Sequence, residues 1–393
     1  MNIGTWWNTD SAPINPWPRT TGASFKFFRS AFYLLLFTFV MPIFSLLHDP
    51  TNYYPCTQNM LTDQPFREFW LDYIVSHTAT LIVPLAEQTY GPNGAVQARA
   101  CAADLTAQME RLRRQPDFYG ELNLQTLAGL RQTCLRHYGI PDPFLVSKQR
   151  ENTAMLALYP TVIADLDRCT DPAKTLQFLV EGVFAGNIFD LGASATAGQF
   201  ADTSPDFLKV RASLAGRRPW LVDHFDAFAP RLLRGDYHKT LFFLDNAGSD
   251  AILGVLPLAR WLARRGGTVC LLANEAPALN DITIAELRAV LDRTSDVDPV
   301  MRELLAAGRI AAASSGGATP LLDLRQVSDE CNAQAADADL LFLEGMGRGL
   351  ESNFRTAFRV DTVKLCMIKE EIIAAKHGGK VFDVVFRFDP AVR

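Results

Sequence analysis

The spacing of hydrophobic residues divides this chain into two parts with different predicted structures. Between about Pro65 and Gly235, apolar positions recur every three or four residues, a spacing that predicts helices. The predicted helices cover residues 66–86, 96–114, 124–137, 153–166 and 173–184. Turn signals such as Gly-Pro and Pro-Asp-Pro separate them, and we expect no strand in this part.

After Gly235, short apolar runs alternate with helical stretches, the first of them at 252–265. The runs predict strands at residues 240–244, 268–273, 309–313, 340–343, 363–368 and 381–388. Such alternation is typical of an α/β fold with a mostly parallel sheet flanked by helices, and the last strand is a candidate for an antiparallel edge. We therefore expect an N-terminal extension (1–50), a helical domain (51–235) and an α/β domain (236–393).

The composition indicates an ordinary folded protein and excludes some classes. Hydrophobic residues make up 48% of the 393 residues, and the net charge of -5 comes without a run of like charge. The chain lacks the basic footprint of a nucleic-acid-binding protein. Its seven cysteines are scattered, odd in number and without a CxxC pair, which argues against a disulfide framework or a zinc ribbon. Buried thiols in a reducing compartment are the simpler interpretation, and they predict a cytoplasmic location.

An apolar segment at residues 31–47 is a candidate for contact with a membrane. As a helix it would be roughly 25 Å long, shorter than the roughly 30 Å hydrocarbon core of a bilayer. Pro42 interrupts it, and no small-residue cleavage site follows. Because Lys26 and Arg29 precede it, spanning would tend to export the rest of the chain, which fits poorly with free cysteines. We favour a segment docked on the folded body over a membrane anchor or targeting segment.

Polar side chains follow the predicted strands at the points where the strands end. Since the carboxyl ends of parallel strands share one edge of a sheet, these side chains should converge on one crevice. In chain order they are Asp245, Asn246 and Gly248, then Asn274, Asn280 and Asp281, then Ser314 to Gly317, then Glu344 to Arg348, and Lys369.

Each of these residues also has an ordinary interpretation. Asp245 and Asp281 would serve as helix caps, Ser314 would belong to a flexible turn, and Lys369 would be a solvated surface residue. The collective pattern is stronger than any single member, because an acid, amide, hydroxyl or base follows each of the first five predicted strands.

The mixture of groups indicates phosphoryl chemistry. Asp245 and Asn246 offer hard oxygen ligands that suit Mg, Mn or a similar cation. The helix that starts after Gly248 offers N–H groups for a phosphate. Arg348 and Lys369 would neutralise charge on the transferring oxygens. The chain has no GxxxxGK[ST] motif, so a P-loop kinase is not indicated.

Two segments of the helical part also carry chemically interesting residues. Asn187 and Asp190 are three apart and share one helical face, where a buried hydrogen-bond network and direct substrate contact are about equally supported. Lys148 to Asn152 is a dense polar run after a Pro-Asp-Pro turn, for which we favour a solvated helix start.

Several motifs are long and specific: DNAGSDAILGVLPLARWLARRG, ANEAPALNDIT, EGMGRGLESN and VKLCMIK, with GNIFDLG, KQREN and RPWLVD in the helical half. Together they resemble the metal-dependent damage-control phosphatases, in the subgroup with an EGMGR signature. The resemblance runs from about Phe44 to Phe388, and residues 1–43 have no clear counterpart.

This resemblance implies a Rossmann-like α/β domain preceded by an all-helical region. It implies a divalent metal, Co, Ni, Mn or Mg, held by Asp245, Asn246 and Asp281, and hydrolysis of phosphate monoesters. Phosphopantetheine or its oxidised, damaged forms would be the substrate. The implied catalytic residues are Asp245, Asn246, Asp281, Glu344 and Arg348. The strand-end pattern and the resemblance together predict that the substrate-binding residues are Asn187, Asp190, Gly248, Asn274, Ser314, Arg348 and Lys369.

Other functions compatible with the sequence are a sugar-phosphate phosphatase, a nucleotide- or S-adenosylmethionine-binding transferase, and a non-catalytic regulatory module. The absence of a glycine fingerprint weighs against the transferase. The sequence leaves open the preferred metal, the oligomeric state, and whether water or a carboxylate attacks the phosphorus.

Overall fold

The structure of the protein is a computed structural model that describes residues 41–188, 207–214 and 216–392. The predictions for Asp190 and for residues 31–40 lie outside these residues. Helices that precede the central strands are α1 (Gln64–His77), α2 (Val83–Arg114), α3 (Leu124–His137), α4 (Leu145–Asp167), α5 (Pro172–Ile188), α6 (Phe207–Leu214) and α7 (Phe225–Arg234). The π-helical turn π1 (Thr78–Ile82) joins α1 to α2, and Gly91 breaks α2 with a φ of 73°.

A mostly parallel sheet follows. Its strands are β1 (Val222–Asp223), β2 (Lys239–Phe243), β3 (Thr268–Ala273), β4 (Ile310–Ser314), β5 (Leu340–Glu344), β6 (Asp361–Met367) and β7 (Val384–Asp389). Between the strands lie π2 (Asp250–Val255), α8 (Leu256–Arg264), α9 (Ile284–Val297), α10 (Pro299–Ala306), α11 (Asp329–Ala335), π3 (Met346–Ser352) and α12 (Glu371–Lys376). The predicted α/β fold class is confirmed.

The order of the strands places a switch point at the middle of the sheet. The seven strands lie in the order β1-β7-β6-β5-β2-β3-β4, and all neighbours are parallel except β6 and β7. From β2 the chain moves outward through β3 to β4, and it then crosses back to β5 on the other side of β2. Ligands bind at such a reversal, beyond the carboxyl ends of the two diverging strands.

Two details of the sheet differ from the prediction. No strand was expected before Gly235, but β1 lies there and pairs with β7 through Val222 and Val385. A strand of two residues is too short to produce an alternating pattern. The last strand is antiparallel to β6, as expected. It is not the edge, because β1 covers its outer side.

Alternate residues of β2 enter two different hydrophobic clusters. Leu241 and Phe243 face one side of the sheet, while Phe242 faces the other and stacks on Phe342 with ring centroids 4.6 Å apart. A strand buried on both faces needs a continuous apolar run, which explains the sequence pattern. The cluster that contains Phe242 also contains Val183 of α5. The helical part and the sheet therefore share a core, and their division into separate domains at residue 235 stays a prediction.

The described end of the apolar segment, residues 41–47, is docked on the folded body. Phe44 packs edge-on against Phe243 with ring centroids 5.7 Å apart. The Phe44 backbone N–H donates to the Leu324 carbonyl at 2.9 Å, and the Val327 N–H donates to the Pro42 carbonyl at 3.0 Å. This part of the segment belongs to the core, as favoured from the sequence.

Within the described residues, the helical stretch Gln64–Arg114 is long and apolar enough to cross a membrane by length and composition alone. That is weak evidence, because core helices of water-soluble proteins pass the same test.

Phe44→Ala should lower the free energy of unfolding by about 3–5 kcal/mol, because it removes a buried ring and leaves a cavity beneath β2. Chemical denaturation measures this loss. Ile43→Ala is the matched control, since Ile43 is 49% exposed, and it should change stability by less than about 0.5 kcal/mol. Equal stability of the two variants would contradict the docking of this segment.

Candidate active site

Backbone pairing of two loops forms the floor of the site. Asn246 and Asp281 form an isolated antiparallel bridge between the loops after β2 and β3. The Ile282 N–H donates to the Asp245 carbonyl at 3.0 Å, and the Ala247 N–H donates to the Asn280 carbonyl at 2.9 Å. These bonds bring the side chains of Asp245, Asn246 and Asp281 into one buried group beside the switch point.

Neither aspartate of this floor is a helix cap. Helix α9 begins with a capping box made by Thr283 and Glu286, so Asp281 is not needed for that role. The turn π2 has Ser249 before it and no side-chain cap at all. The ordinary interpretation of Asp245 and Asp281 is therefore wrong, and their carboxylates are available for other contacts.

Arg348 holds the two aspartates. Its Nη1 pairs with Asp245 Oδ1, and its Nη2 pairs with Asp281 Oδ2 at 2.6 Å. Asn274 completes this arrangement, because its Nδ2 donates to Asp281 Oδ2 at 3.0 Å and its Oδ1 accepts from Arg348 Nη2 at 3.3 Å. The sequence prediction that these four residues lie together is supported by the geometry.

A second group of acids lies behind the first. Glu344, at the end of β5, accepts the Asp245 backbone N–H at 2.8 Å. Asn187 of α5 donates its Nδ2 to Asp250 Oδ2 at 2.8 Å and to Glu344 Oε1 at 3.1 Å, while its Oδ1 accepts the Met367 N–H at 3.2 Å. Asn187 therefore serves a buried hydrogen-bond network, one of the two alternatives that the sequence left open.

Asp250 was missed by sequence reasoning. An acid at the start of a helix is so common that it carries no functional signal. In the structure its Oδ2 also accepts from Asn246 Nδ2 at 3.0 Å, which links the two groups of acids.

These acids fit a divalent cation. Carboxylate oxygens of Asp245, Asp250 and Glu344 all lie within 4.8 Å of one another, and all three residues are buried. Asp250 Oδ1 has no hydrogen-bond partner among the described residues. Hard, anionic oxygen donors and an unused buried lone pair are what Mg²⁺ or Mn²⁺ requires. The resemblance implied Asp245, Asn246 and Asp281 as ligands, so Asp245 is common to both sets.

Burial also perturbs the pKa values of this cluster. It raises the pKa of Asp245 to about 8, although the neighbouring Arg348 lowers it. Burial raises the pKa of Glu344 well above its usual range, and the charges of Asp250 and Asp245 raise it further. Burial likewise raises the pKa of Asp250, against the effect of Lys369. Strongly perturbed acids in one place are typical of functional sites.

Two of the amides after β2 already have partners in the chain, and the contact of Gly248 with a phosphate stays a prediction. The Gly248 N–H donates to Asn152 Oδ1 at 2.7 Å, and the Ser249 N–H donates to Glu151 Oε1 at 3.3 Å. The expectation of a solvated helix start at Lys148 to Asn152 is wrong for Lys148 and Asn152, which are buried, whereas Gln149 and Arg150 are exposed. Lys148 is buried and ion-paired with Asp142 at 3.0 Å and Glu286 at 2.9 Å.

Two further predicted residues have distinct surroundings. Lys369 is buried beside the acids rather than solvated. Ser314 ends β4, and its hydroxyl accepts the Gly316 N–H at 3.1 Å within its own turn. Ser314 is not among the described residues that line the cleft, and its contact with phosphate stays a prediction.

A cleft of about 700 Å³, counting its open mouth, lies above the floor. Its floor contains Asp245, Asn246 and Asp281, and its walls come from α1, α3 and the loops around Leu279, Pro320 and Met346. The helical wall is mostly apolar and contributes Trp70, Tyr73, Ile74, Leu124, Leu127, Ala128 and Arg131. Sequence reasoning missed this wall because its residues look like an ordinary core-facing helical stripe.

The fold and the site together describe a class of α/β proteins. In this class, buried acids and amides lie at the switch point of a mostly parallel sheet. Residues 79–385 match the family model of the damage-control phosphatase ARMT1-like domain. That span is more than half of the chain, and the chain belongs to this family. The resemblance inferred from the motifs is confirmed.

Three named proteins are similar in sequence to this chain, and two of them are named phosphatases. Damage-control phosphatase At2g17340 of Arabidopsis thaliana is 38% identical over 301 residues, which cover 76% of this chain and 81% of that protein. The 4'-phosphopantetheine phosphatase of Mus musculus is 30% identical over 396 residues, which cover 88% of this chain and 48% of that protein. Pantothenate kinase 2 of Arabidopsis thaliana is 36% identical over 379 residues, which cover 89% of this chain and 42% of that protein. The chain thus spans less than half of the length of two of these relatives.

A solved structure shares the fold. The DUF89 family protein of Pyrococcus horikoshii matches with a TM-score of 0.58 and 16% sequence identity, over 80% of this chain and 96% of that one.

Gly345 should be essential for the shape of the floor. Its φ is +91°, and a Cβ there would lie 2.2 Å from the Asp245 carboxyl carbon. Gly345→Ala should lower the free energy of unfolding by about 2–4 kcal/mol, from overpacking and a strained left-handed backbone. Chemical denaturation measures this change.

The matched control is Gly378→Ala, where φ is +71° and a Cβ would meet nothing within 4 Å. It carries the backbone strain alone and should cost about 1–2 kcal/mol. If the two variants lost equal stability, the close approach of Gly345 to Asp245 would be refuted.

Proposed function

We propose that this chain is a metal-dependent phosphatase that hydrolyses phosphate monoesters, with phosphopantetheine or its oxidised forms as substrate. The observation that carries the proposal is the group of buried acids and amides at the floor of a cleft, at the sheet's switch point. Family membership supports the reaction class. The name of the mouse relative, 4'-phosphopantetheine phosphatase, supports the substrate.

In this proposal, Asp245, Asn246 and Asp281 hold the metal, as the family resemblance implies. A divalent cation bound there supplies Lewis-acid polarisation of a phosphoryl oxygen and lowers the pKa of a bound water. Co, Ni, Mn and Mg are the candidates. Arg348 fixes the two aspartate carboxylates, and Glu344 fixes the backbone of Asp245. Asp250 is the additional acid that the structure adds to this set.

The walls of the cleft favour a substrate with an uncharged arm. Trp70, Leu124 and Leu127 contribute apolar surface to the same cleft as the acidic floor. A pantetheine arm is uncharged and partly apolar, so it suits this surface. The partner is therefore a small phosphorylated metabolite. The free cysteines support a reducing compartment such as the cytoplasm.

The purified chain should release inorganic phosphate from 4'-phosphopantetheine when Co, Ni, Mn or Mg is present, and a chelator should stop the release. Asp245→Asn should reduce the rate by at least about a hundredfold, because it removes a preorganised charge at the reacting group. A phosphate-release assay across the four metals measures both effects. The same assay should give higher kcat/KM for phosphopantetheine and its sulfonate form than for sugar phosphates.

Asp292→Asn is the control, because Asp292 is exposed on α9 and should keep the wild-type rate. Full activity of Asp245→Asn, or activity that survives removal of metal, would refute the proposed mechanism. A preference for sugar phosphates would refute the substrate.

A further inference from the structure

The acidic side chains that line the cleft outnumber the basic ones. The charged side chains among the described residues that line it are four acids, Asp245, Asp281, Glu351 and Glu370, and a single cation, Arg131. An anionic substrate is repelled by every ionised acid that a metal or an ion pair does not neutralise. The position of Arg131 therefore limits where the anionic group of a substrate can bind.

Arg131 lies on the helical wall, in α3, and only 3% of its surface is exposed. Its Nε is buried without a hydrogen-bond partner, and no ion pair or hydrogen bond within the described ranges involves its guanidinium. Burial lowers the pKa of Arg131, and the nearby Asp281 opposes that shift. A buried guanidinium is costly unless an anion meets it, so an unpaired one indicates an anion that arrives from outside the chain.

Other buried cations of this region are already committed. Arg348 places one terminal nitrogen on Asp245 and the other on Asp281. Lys148 is paired with both Asp142 and Glu286. Either side chain would have to break an ion pair with a carboxylate in order to bind a phosphate. Arg131 has no such ion pair to break among the described residues.

A second donor on the same wall is also unused. Trp70 Nε1 is buried and has no hydrogen-bond partner in the part of the chain that the structure describes, and Trp70 lines the cleft beside Arg131. Buried donors nearly always have partners in folded proteins. Two exceptions on one wall of one cleft indicate that a ligand supplies the missing acceptors.

We propose that Arg131 is a phosphate-binding residue, whose guanidinium receives oxygens of the substrate phosphate and, after hydrolysis, of inorganic phosphate. The planar fork of a guanidinium matches two phosphate oxygens in a way that a lysine does not. The identity of the anion as phosphate rests on the proposed function. The location of the anion rests on Arg131 itself.

Calorimetric titration of the full chain with inorganic phosphate, with Mg²⁺ present, tests the proposal. Arg131→Met should weaken phosphate binding by at least about tenfold, the effect expected for a charge-assisted hydrogen bond. Arg131→Lys should fall between that variant and wild type, because it keeps the charge and loses the fork. Arg136→Met removes an exposed arginine of the same helix and should bind like wild type. Wild-type protein that binds no phosphate, or Arg131→Met that binds like wild type, overturns the proposal.

Thermal unfolding separates this role from a structural one. In phosphate-free buffer, Arg131→Met and Arg131→Gln should have a Tm equal to or above that of wild type, because each removes an unpaired buried charge. Added phosphate should raise the Tm of wild type and not of these variants. A Tm that falls by several degrees in both variants in phosphate-free buffer assigns Arg131 a structural role and overturns the proposal.

Different experimental results would refute the role of Arg131 and the proposed phosphatase activity. Phosphate binding that depends on Arg131, without turnover of any phosphate ester by wild type, leaves the inference standing and refutes the phosphatase. Turnover by wild type with unchanged phosphate affinity in Arg131→Met refutes the inference alone. Weaker binding of phosphopantetheine with unchanged affinity for inorganic phosphate places Arg131 on another part of the substrate and also overturns the inference.

Discussion

The double ion pair of Arg348 with Asp245 and Asp281 is the interaction on which the site depends. Buried carboxylates repel one another and lose their hydration, so they stay together only where cations and N–H donors offset that cost. Arg348 comes from the turn after β5, while its partners follow β2 and β3. One guanidinium therefore ties three strand ends together at the switch point. Gly345 makes the approach possible, because any side chain there would collide with Asp245.

Two π-helical turns lie next to this ion pair. The turn π2 begins at Asp250, and the turn π3 contains Arg348. Widened turns of this kind are rare within helices and are frequent at functional sites. Each follows the carboxyl end of a strand, and all residues of both turns are buried. A π-helical turn therefore follows each of the two strands that flank the switch point, β2 and β5. Acids from separate loops come together at this point.

The sequence was most informative where chemistry follows directly from strand order. Because parallel strands share one edge, polar residues after each strand were predicted to converge, and Asp245, Asn274, Asp281 and Arg348 are in contact with one another. Residues whose roles come from tertiary contacts were missed or misread. Asp250 looked like an ordinary helix start, and Lys148 looked solvated because one of its two partners, Glu286, is 138 residues away in the sequence. The two-residue strand β1 carries no periodic signal, and β7 is its partner in the sheet.

The distribution of charge in the cleft connects the helical part of the chain to the sheet. Acids are concentrated on the floor, which the sheet provides, and the lining cation among the described residues comes from the helical wall. In the arrangement proposed above, the acids of the floor would hold a metal and repel a phosphate, whereas Arg131 on the helical wall would bind the phosphate. A phosphate ester that satisfies both would be held between them, with its charge divided between a metal on one side and a guanidinium on the other. The two parts therefore have to be built on one shared core, because a shift of about 1 Å between wall and floor would misplace the phosphate for reaction. The helical region is in this sense half of the active site.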